Sequence, residues 1–297
     1  MKRILVTGAG GFLGRHLVQR AAGRYEVRLI FHSRMPSNPS PAAHQLDLTR
    51  HKETADLVSL IRPSAIFHTA AISDPNACEI DPESSRAVNL EAARNLALLS
   101  HDLGIPFFFI STDLVFDGEH APYGESDPPD PISFYGKHKA AAEKAVLSLY
   151  PESAVVRIPL LYGIDPIAIR GLILPLLRSL RKGSAVSLFT DEIRTPLSAG
   201  TAATGILSIL EAGITGTIHL GGPEQLSRYE MGTRIAEIFN LPSGSIHGVK
   251  QKDVSMPAPR PRDVSLLSDR ARNCIEWDPP SFSKELILLK RDFTEEA

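Results

Sequence analysis

Tyr135 and Lys139 stand four residues apart in Tyr135-Gly136-Lys137-His138-Lys139. On a helix this spacing puts both side chains on one face. A free tyrosine has a pKa near ~10. A neighbouring ammonium stabilises the phenolate, so such a tyrosine is expected to titrate lower and to exchange a proton near neutrality. The pair alone is common on ordinary helices, so its weight comes from its surroundings. Upstream, the very apolar run Pro106 to Ser111 reads as a buried strand and continues as Ser111-Thr112-Asp113-Leu114-Val115-Phe116-Asp117-Gly118. A hydroxyl at the C-terminal end of a strand in an open α/β sheet faces the crevice where ligands bind. Ser111 or Thr112 is therefore placed to hydrogen-bond a reacting carbonyl oxygen. The constellation suits acid–base chemistry on a carbonyl or an alcohol.

A second constellation lies at the start of the chain. Thr7-Gly8-Ala9-Gly10-Gly11-Phe12-Leu13-Gly14 follows a short apolar run and opens a helical pattern. Glycines allow a tight turn and the close approach of a pyrophosphate, whose charge is met by the helix N-terminus. Gly8, Gly10, Gly11, Phe12, Leu13 and Gly14 are the expected dinucleotide-binding residues. Sites that prefer NAD place an acid about 20 positions further on, against the ribose 2′-hydroxyl. From Val27 to Leu46 there is no Asp or Glu; His32-Ser33-Arg34 follows the second apolar run instead. Ser33 can donate to a 2′-phosphate and Arg34 can pair with it. NADP(H) is expected over NAD(H).

The elements that must position these groups follow from the rhythm of the chain. Arg3 to Thr7, Glu26 to Phe31, Ala65 to Thr69 and Pro106 to Ser111 read as buried strands. Between them, Phe12 to Ala22, Thr49 to Ile61 (with Leu57, Leu60 and Ile61 on one face) and a single long helix Pro82 to Leu103 read as helices. Continuous apolar strands separated by helices predict an α/β fold, a doubly wound parallel Rossmann sheet covered on both faces. After about Arg157 the rhythm loosens, with helices expected over Gly171 to Leu180 and Tyr229 to Phe239. The expected division is a nucleotide-binding Rossmann domain over residues 1–158 plus about 195–222. A smaller C-terminal substrate lobe is expected from about 159–194 and 223–297. The Pro/Ser-rich stretch Arg34 to Pro41 reads as an exposed loop.

The chain has 297 residues, 43% of them apolar, and a formal net charge of -2. This is enough chain for a sizeable core without disulfides or metals. No basic run points to nucleic acid. Cys78 and Cys274 belong to no metal-spaced cluster, so no metal is expected. No apolar stretch approaches the ~20 residues needed to span a bilayer. Lys2-Arg3 before Ile4-Leu5-Val6 is cut off by the glycine turn too early for a signal sequence. A cytoplasmic location and no membrane partner are expected.

At these residues the chain resembles an extended short-chain dehydrogenase/reductase, and within that group the dTDP-4-dehydrorhamnose reductase branch. The most specific part is Ser111 to Gly118 followed by Tyr135 to Lys139. The resemblance implies that Thr112, Tyr135 and Lys139 form the catalytic triad, with Tyr135 and Lys139 also touching the cofactor. It implies that Asp47-Leu48 lies near the adenine ring and that Ala70 and Ala71 line the cofactor. Thr69 stands where the family has asparagine, and Asn89 is similar to a structural asparagine. Arg194-Thr195-Pro196 resembles a segment near the substrate, and Arg260 and Arg262 are expected to meet a nucleotide diphosphate. His219-Leu220-Gly221-Gly222 is expected to serve structure. The implied activity is NADPH-dependent reduction of a nucleotide-linked 4-keto-6-deoxysugar, of the kind used in dTDP-rhamnose biosynthesis, and a homodimer. Two alternatives stand beside it. One is a nucleotide-sugar epimerase or dehydratase of the same fold. The other is a non-catalytic NADP-binding protein similar to a regulatory subunit of methionine adenosyltransferase.

Overall fold

A computed structural model describes residues 1–33, 42–164 and 171–292. The first half alternates strand and helix. It comprises β1 (Arg3–Thr7), α1 (Phe12–Ala21), β2 (Glu26–Phe31), β3 (Ala43–Gln45), α2 (His51–Ile61), β4 (Ala65–His68), α3 (Pro75–Ile80), α4 (Pro82–Arg86), α5 (Ala92–Leu103), β5 (Phe107–Thr112), α6 (Phe134–Leu149) and β6 (Ala154–Ile158). The second half adds β7 (Leu161–Tyr162), α7 (Ile173–Arg181), β8 (Val186–Phe189), β9 (Ile193–Arg194), β10 (Leu197–Ser198) and α8 (Ala199–Glu211). It closes with β11 (Gly216–His219), β12 (Leu226–Ser227), α9 (Arg228–Ile238), β13 (Ile246–Val249), α10 (Asp269–Ile275) and α11 (Phe282–Asp292). Arg34 and the stretch to Pro41 lie outside the described residues.

The main sheet runs β3-β2-β1-β4-β5-β6-β11, and every pairing in it is parallel. This is the expected doubly wound Rossmann sheet. Chain order reverses between β1 and β4, so a crevice opens beyond their C-terminal ends. The central strands β4 and β5 are buried along their whole length and mainly apolar because both faces are covered, whereas the edge strand β3 (Ala-His-Gln) is partly exposed. In β1, Ile4 and Val6 face α1 and α8 while Leu5 faces α2 and α5. In β5, Phe108 and Ile110 take the first side and Phe107 and Phe109 the second. A separate apolar cluster joins α7 (Leu176, Leu177, Leu180), α9 (Met231, Ile235), Ile246 and α11 (Phe282, Leu286).

Two helices differ from their sequence reading. α2 buries Thr54, Val58 and Ile61, a helical stripe, whereas Leu60 is 76% exposed and not on the core face. Its position is about 200° around the helix from Val58. The expected single helix from Pro82 to Leu103 is interrupted by a π-helical turn at Ala87–Glu91. Asn89 sits fully buried in that turn. Its amide accepts from Ile72 N (2.9 Å) and donates to Ile72 O (3.0 Å) and Ser85 Oγ (3.1 Å). An inserted residue is a usual device for turning a side chain out of helical register.

Candidate active site

The glycine turn and α1 fit a dinucleotide pyrophosphate. The N-cap of α1 is Gly11, with no side-chain cap, so the first-turn N–H groups face outward at the positive end of the helix. Gly8 has φ +68, and a Cβ there would come within 2.6 Å of Ala70 N. A Cβ on Gly14 would strike Gly8 O and lie 2.9 Å from Ala9 Cα. The turn therefore packs backbone on backbone, against the Ala70-Ala71 segment that leaves β4. Thr69 closes this contact, donating from Oγ1 to Thr7 O at 2.7 Å. Arg15 donates to Gly10 O (3.0 Å), and Phe12 packs edge-on against His16 (5.3 Å between ring centres). Ser33 is exposed at the end of β2 and Asp47 follows β3. Asp47 accepts from Thr49 N (3.0 Å) and Thr49 Oγ1 (2.7 Å), which hold its carboxyl below the usual range, and Leu48 is buried beside it.

Thr112, Tyr135 and Lys139 are all buried; Thr112 and Tyr135 lie within hydrogen-bond reach at the end of β5, and Lys139 follows Tyr135 by one turn of α6. Ser133 caps α6 by accepting from Gly136 N (3.2 Å). Gly136 sets the closeness of the approach: a Cβ there would strike Leu114 O and lie 2.8 Å from Pro131 Cβ. Gly136 carries no signal of its own in the Tyr-x-x-x-Lys pattern, yet it lets α6 rest on the turn that follows Thr112. Thr112 donates to Asp113 Oδ1 (3.0 Å) and accepts from Leu114 N (3.2 Å). Lys139 Nζ donates to Ile110 O (2.5 Å) and lies 3.8 Å from the centre of the Phe109 ring.

One electrostatic expectation is corrected here. Tyr135 is raised, not lowered, first by burial and then by the Asp113 carboxylate, with Thr112 easing it slightly. Burial pulls Lys139 down to about 7, against the pull of Glu143. The ammonium is directed at β5, so it does not offset the burial of the phenol. The side chain at Tyr135 is accordingly a phenol that holds its proton until a stronger base develops beside it. Asp113 is pushed up to about 6 by burial, partly offset by Arg194.

Behind the site lies a buried chain of polar groups. Ser111 donates to Glu143. Arg157 clasps Glu143 through Nε (3.1 Å to each oxygen) and Nη2 (2.7 Å). Its Nη1 reaches His219 Nε2 (3.2 Å), while His219 Nδ1 faces Leu267 O (3.0 Å). A carbonyl only accepts, so Nδ1 carries the proton and Nε2 accepts from Arg157. Ser111 is thus engaged inside the network and Thr112 is the hydroxyl nearer the crevice.

His68 and His219 are both buried, and burial pulls each down to about 3. A depressed histidine stabilises the fold fully above its unfolded value of 6.5, and that contribution is lost as pH falls toward about 3. Thermal melts should therefore show Tm falling below pH ~6.5. The slope should shrink in a variant with both histidines replaced by asparagine. An unchanged slope in that variant would contradict the assignment.

The arginines sort differently from the expectation. Arg194 is 3% exposed. Its Nη1 donates to Ile193 O (2.6 Å), its Nη2 to Pro261 O (3.3 Å), and its Nε lies 3.7 Å from Asp113. It ties β9 and the 261–262 loop to the turn after β5, leaving little of it for a substrate. Arg262 is exposed and lines a polar cavity of about 490 Å³ with Lys250, Asp191 and Asp263. Arg260 donates Nη2 to Asn76 Oδ1 (3.0 Å) and keeps a buried Nη1 with no partner among the described residues. Arg228, which stands in no motif of the sequence, likewise keeps a buried Nη1 with no partner among the described residues. Arg194, Arg228 and Arg260 are near enough for their charges to oppose one another around Glu192. No short-range motif marks Arg228; only the fold brings it to this group.

Among the described residues no cluster of three or more metal-ligating side chains occurs, and no helix is long and apolar enough to cross a membrane. The RmlD substrate binding domain family matches residues 1–294. The "Probable low-salt glycan biosynthesis reductase Agl14" of Haloferax volcanii is 33% identical over 98% of this chain and 98% of its own. The methionine adenosyltransferase 2 subunit beta of Pongo abelii is 32% identical over 89% of this chain and 80% of its own. The crystal structure of a dTDP-4-dehydrorhamnose reductase from Bacillus anthracis in complex with NADP superposes with a TM-score of 0.89. That pair is 25% identical, covering 99% of this chain and 100% of the other.

Proposed function

Because the chain belongs to the RmlD substrate binding domain family, we propose that it reduces the 4-keto group of a nucleotide-linked 6-deoxysugar with NADPH. The observation that carries the proposal is that Thr112 and Tyr135 lie within hydrogen-bond reach of each other, with Lys139 one turn along α6 and close to His68, which bonds Thr7 at the start of the glycine turn. Gly8 to Gly14 would hold the pyrophosphate of the nicotinamide cofactor and Ala70-Ala71 would line it, and the cofactor would supply the hydride. Thr112 orients the carbonyl oxygen. Tyr135, kept protonated by burial, delivers its proton to the oxygen as negative charge develops there. Lys139 supports Tyr135 by fastening their shared face of α6 to β5 through Ile110 O, and its ammonium is the group that a bound cofactor ribose would meet. NADPH is preferred over NADH because no carboxylate stands between Val27 and Leu46, with Ser33 and Arg34 following β2. The substrate lies against the lobe of residues 159–194 and 223–297.

The orphaned guanidinium nitrogens of Arg228 and Arg260 suit the diphosphate of the substrate, since a buried unpaired N–H is costly until an anion meets it. Arg228→Gln and Arg260→Gln should each raise KM for the nucleotide sugar about tenfold and leave NADPH affinity unchanged. Equal KM values for wild type and both variants would remove the diphosphate from this place.

The deciding experiment titrates the protein with NADPH and NADH and then adds dTDP-4-keto-6-deoxy-L-mannose while nicotinamide absorbance is followed. Stoichiometric NADPH consumption supports a reductase and separates it from an epimerase or dehydratase, which recycles its cofactor. The similarity to a methionine adenosyltransferase subunit favours a second reading, an NADP-binding partner subunit. NADPH binding without consumption, together with co-purification of a synthetase, would favour that reading.

A further inference from the structure

Lys139 is 2% exposed, and its ammonium donates to Ile110 O and lies over the Phe109 ring, neither of which carries a formal charge. A buried amine without a counter-charge gives up its proton. One helical turn further along the same face of α6 is Glu143, 4% exposed. Lys139 docks on Ile110 and Glu143 docks on Ser111, so two successive turns of α6 are fastened to two successive residues of β5. The next residue of that strand is Thr112. We propose that Glu143 is a positioning residue for Lys139. Its carboxylate supplies the negative charge against which the buried ammonium is held, and its bond to Ser111 fixes α6 to the strand end that carries Thr112. The inference rests on the reading of Lys139 as the residue that supports Tyr135.

The other charged and titratable groups around Lys139 do not supply this charge. His68 on β4 is buried and neutral. On α6, burial keeps the proton on Tyr135, and burial with the nearby Arg86 pulls His138 down, so neither adds a negative charge. Asp113, in the turn after β5, faces Arg194 and Thr112. On α3, Cys78 is held as a thiol and Glu79 accepts from Phe134 N. Arg86 pairs with Glu91 in the π-turn, and Arg94, His101 and Asp102 on α5 are exposed. Glu143 is the group whose charge opposes the burial of Lys139, and Arg157 on β6 partly cancels that charge by clasping it.

Opposite effects follow from the two halves of the clasp. The test is the pH titration of Lys139 in the full chain labelled with lysine 13Cε, its resonance assigned by its loss in Lys139→Arg. Glu143→Gln should lower the Lys139 midpoint by about one pH unit, and Arg157→Gln should raise it. A purely structural role would loosen the site in both variants and shift both midpoints the same way. That result, or an unmoved midpoint in Glu143→Gln, would overturn the proposal. If Glu143→Gln does not fold because Arg157 is stranded, Glu143→Gln combined with Arg157→Leu removes both charges and should still lower the midpoint. The titration needs neither cofactor nor sugar, so it stands apart from the outcome of the reductase assay.

Discussion

Tyr135→Phe is expected to cut turnover by about 10³-fold while NADPH affinity stays within about twofold of wild type. The substitution deletes one hydroxyl and keeps a ring that is 7% exposed and packed at the crevice. The proposed cofactor cradle is built from backbone at Gly8, Gly14 and Ala70, so its geometry does not depend on that hydroxyl. What is lost is the proton donor. Burial and the Asp113 carboxylate both hold the proton on the phenol, the form needed for reduction, where the oxygen of the former carbonyl becomes the base. The tyrosine of an oxidising enzyme has to start as phenolate, and this environment opposes that. Single-turnover decay of NADPH absorbance and a fluorescence titration measure the two quantities separately. Turnover within about tenfold of wild type would remove Tyr135 from the proton-donor role.

The same residue marks where sequence reasoning reaches its limit. The Tyr135/Lys139 spacing and the strand-end position of Thr112 were legible because each is a local pattern with a fixed periodicity. The direction in which Tyr135 is perturbed was not legible. It depends on where Lys139 Nζ points and on Asp113, and both are set by the packing of α6 on β5. The sheet was readable from its continuous apolar runs, since strands buried on both faces cannot alternate. The π-turn at Asn89 was not, because it arises from hydrogen bonds to Ile72, seventeen positions away. The arginines show the same boundary. Arg194, expected near the substrate, is a buried tie in the fold, while Arg228 stands in no motif. Long-range contacts decided each case that the sequence left open.

Gly8→Val is expected to abolish measurable NADPH binding, raising Kd at least about 100-fold, and to lower Tm by roughly 3–10 °C from strain and overpacking together. Two independent costs act at this position. The backbone is left-handed, φ +68, where a β-branched side chain is strained by about 1–3 kcal/mol. A Cβ there would also come 2.6 Å from Ala70 N and 2.7 Å from Ala70 Cα. The segment after β4 would have to move away from the end of β1, at the point where the sheet order reverses and the pyrophosphate is to be held. Gly23→Ala separates the two costs. Gly23 is also left-handed, φ +81, but a Cβ there meets nothing within 4 Å. Its variant should lose about 1 kcal/mol of stability and bind NADPH normally. If both variants bind NADPH equally well, the turn at Gly8 to Gly14 is structural and the cofactor lies elsewhere. If only the Gly8 variant loses it, the close approach of Gly8 to Ala70 is what the dinucleotide requires, and the loss is distinct from that in Tyr135→Phe, which binds but does not turn over.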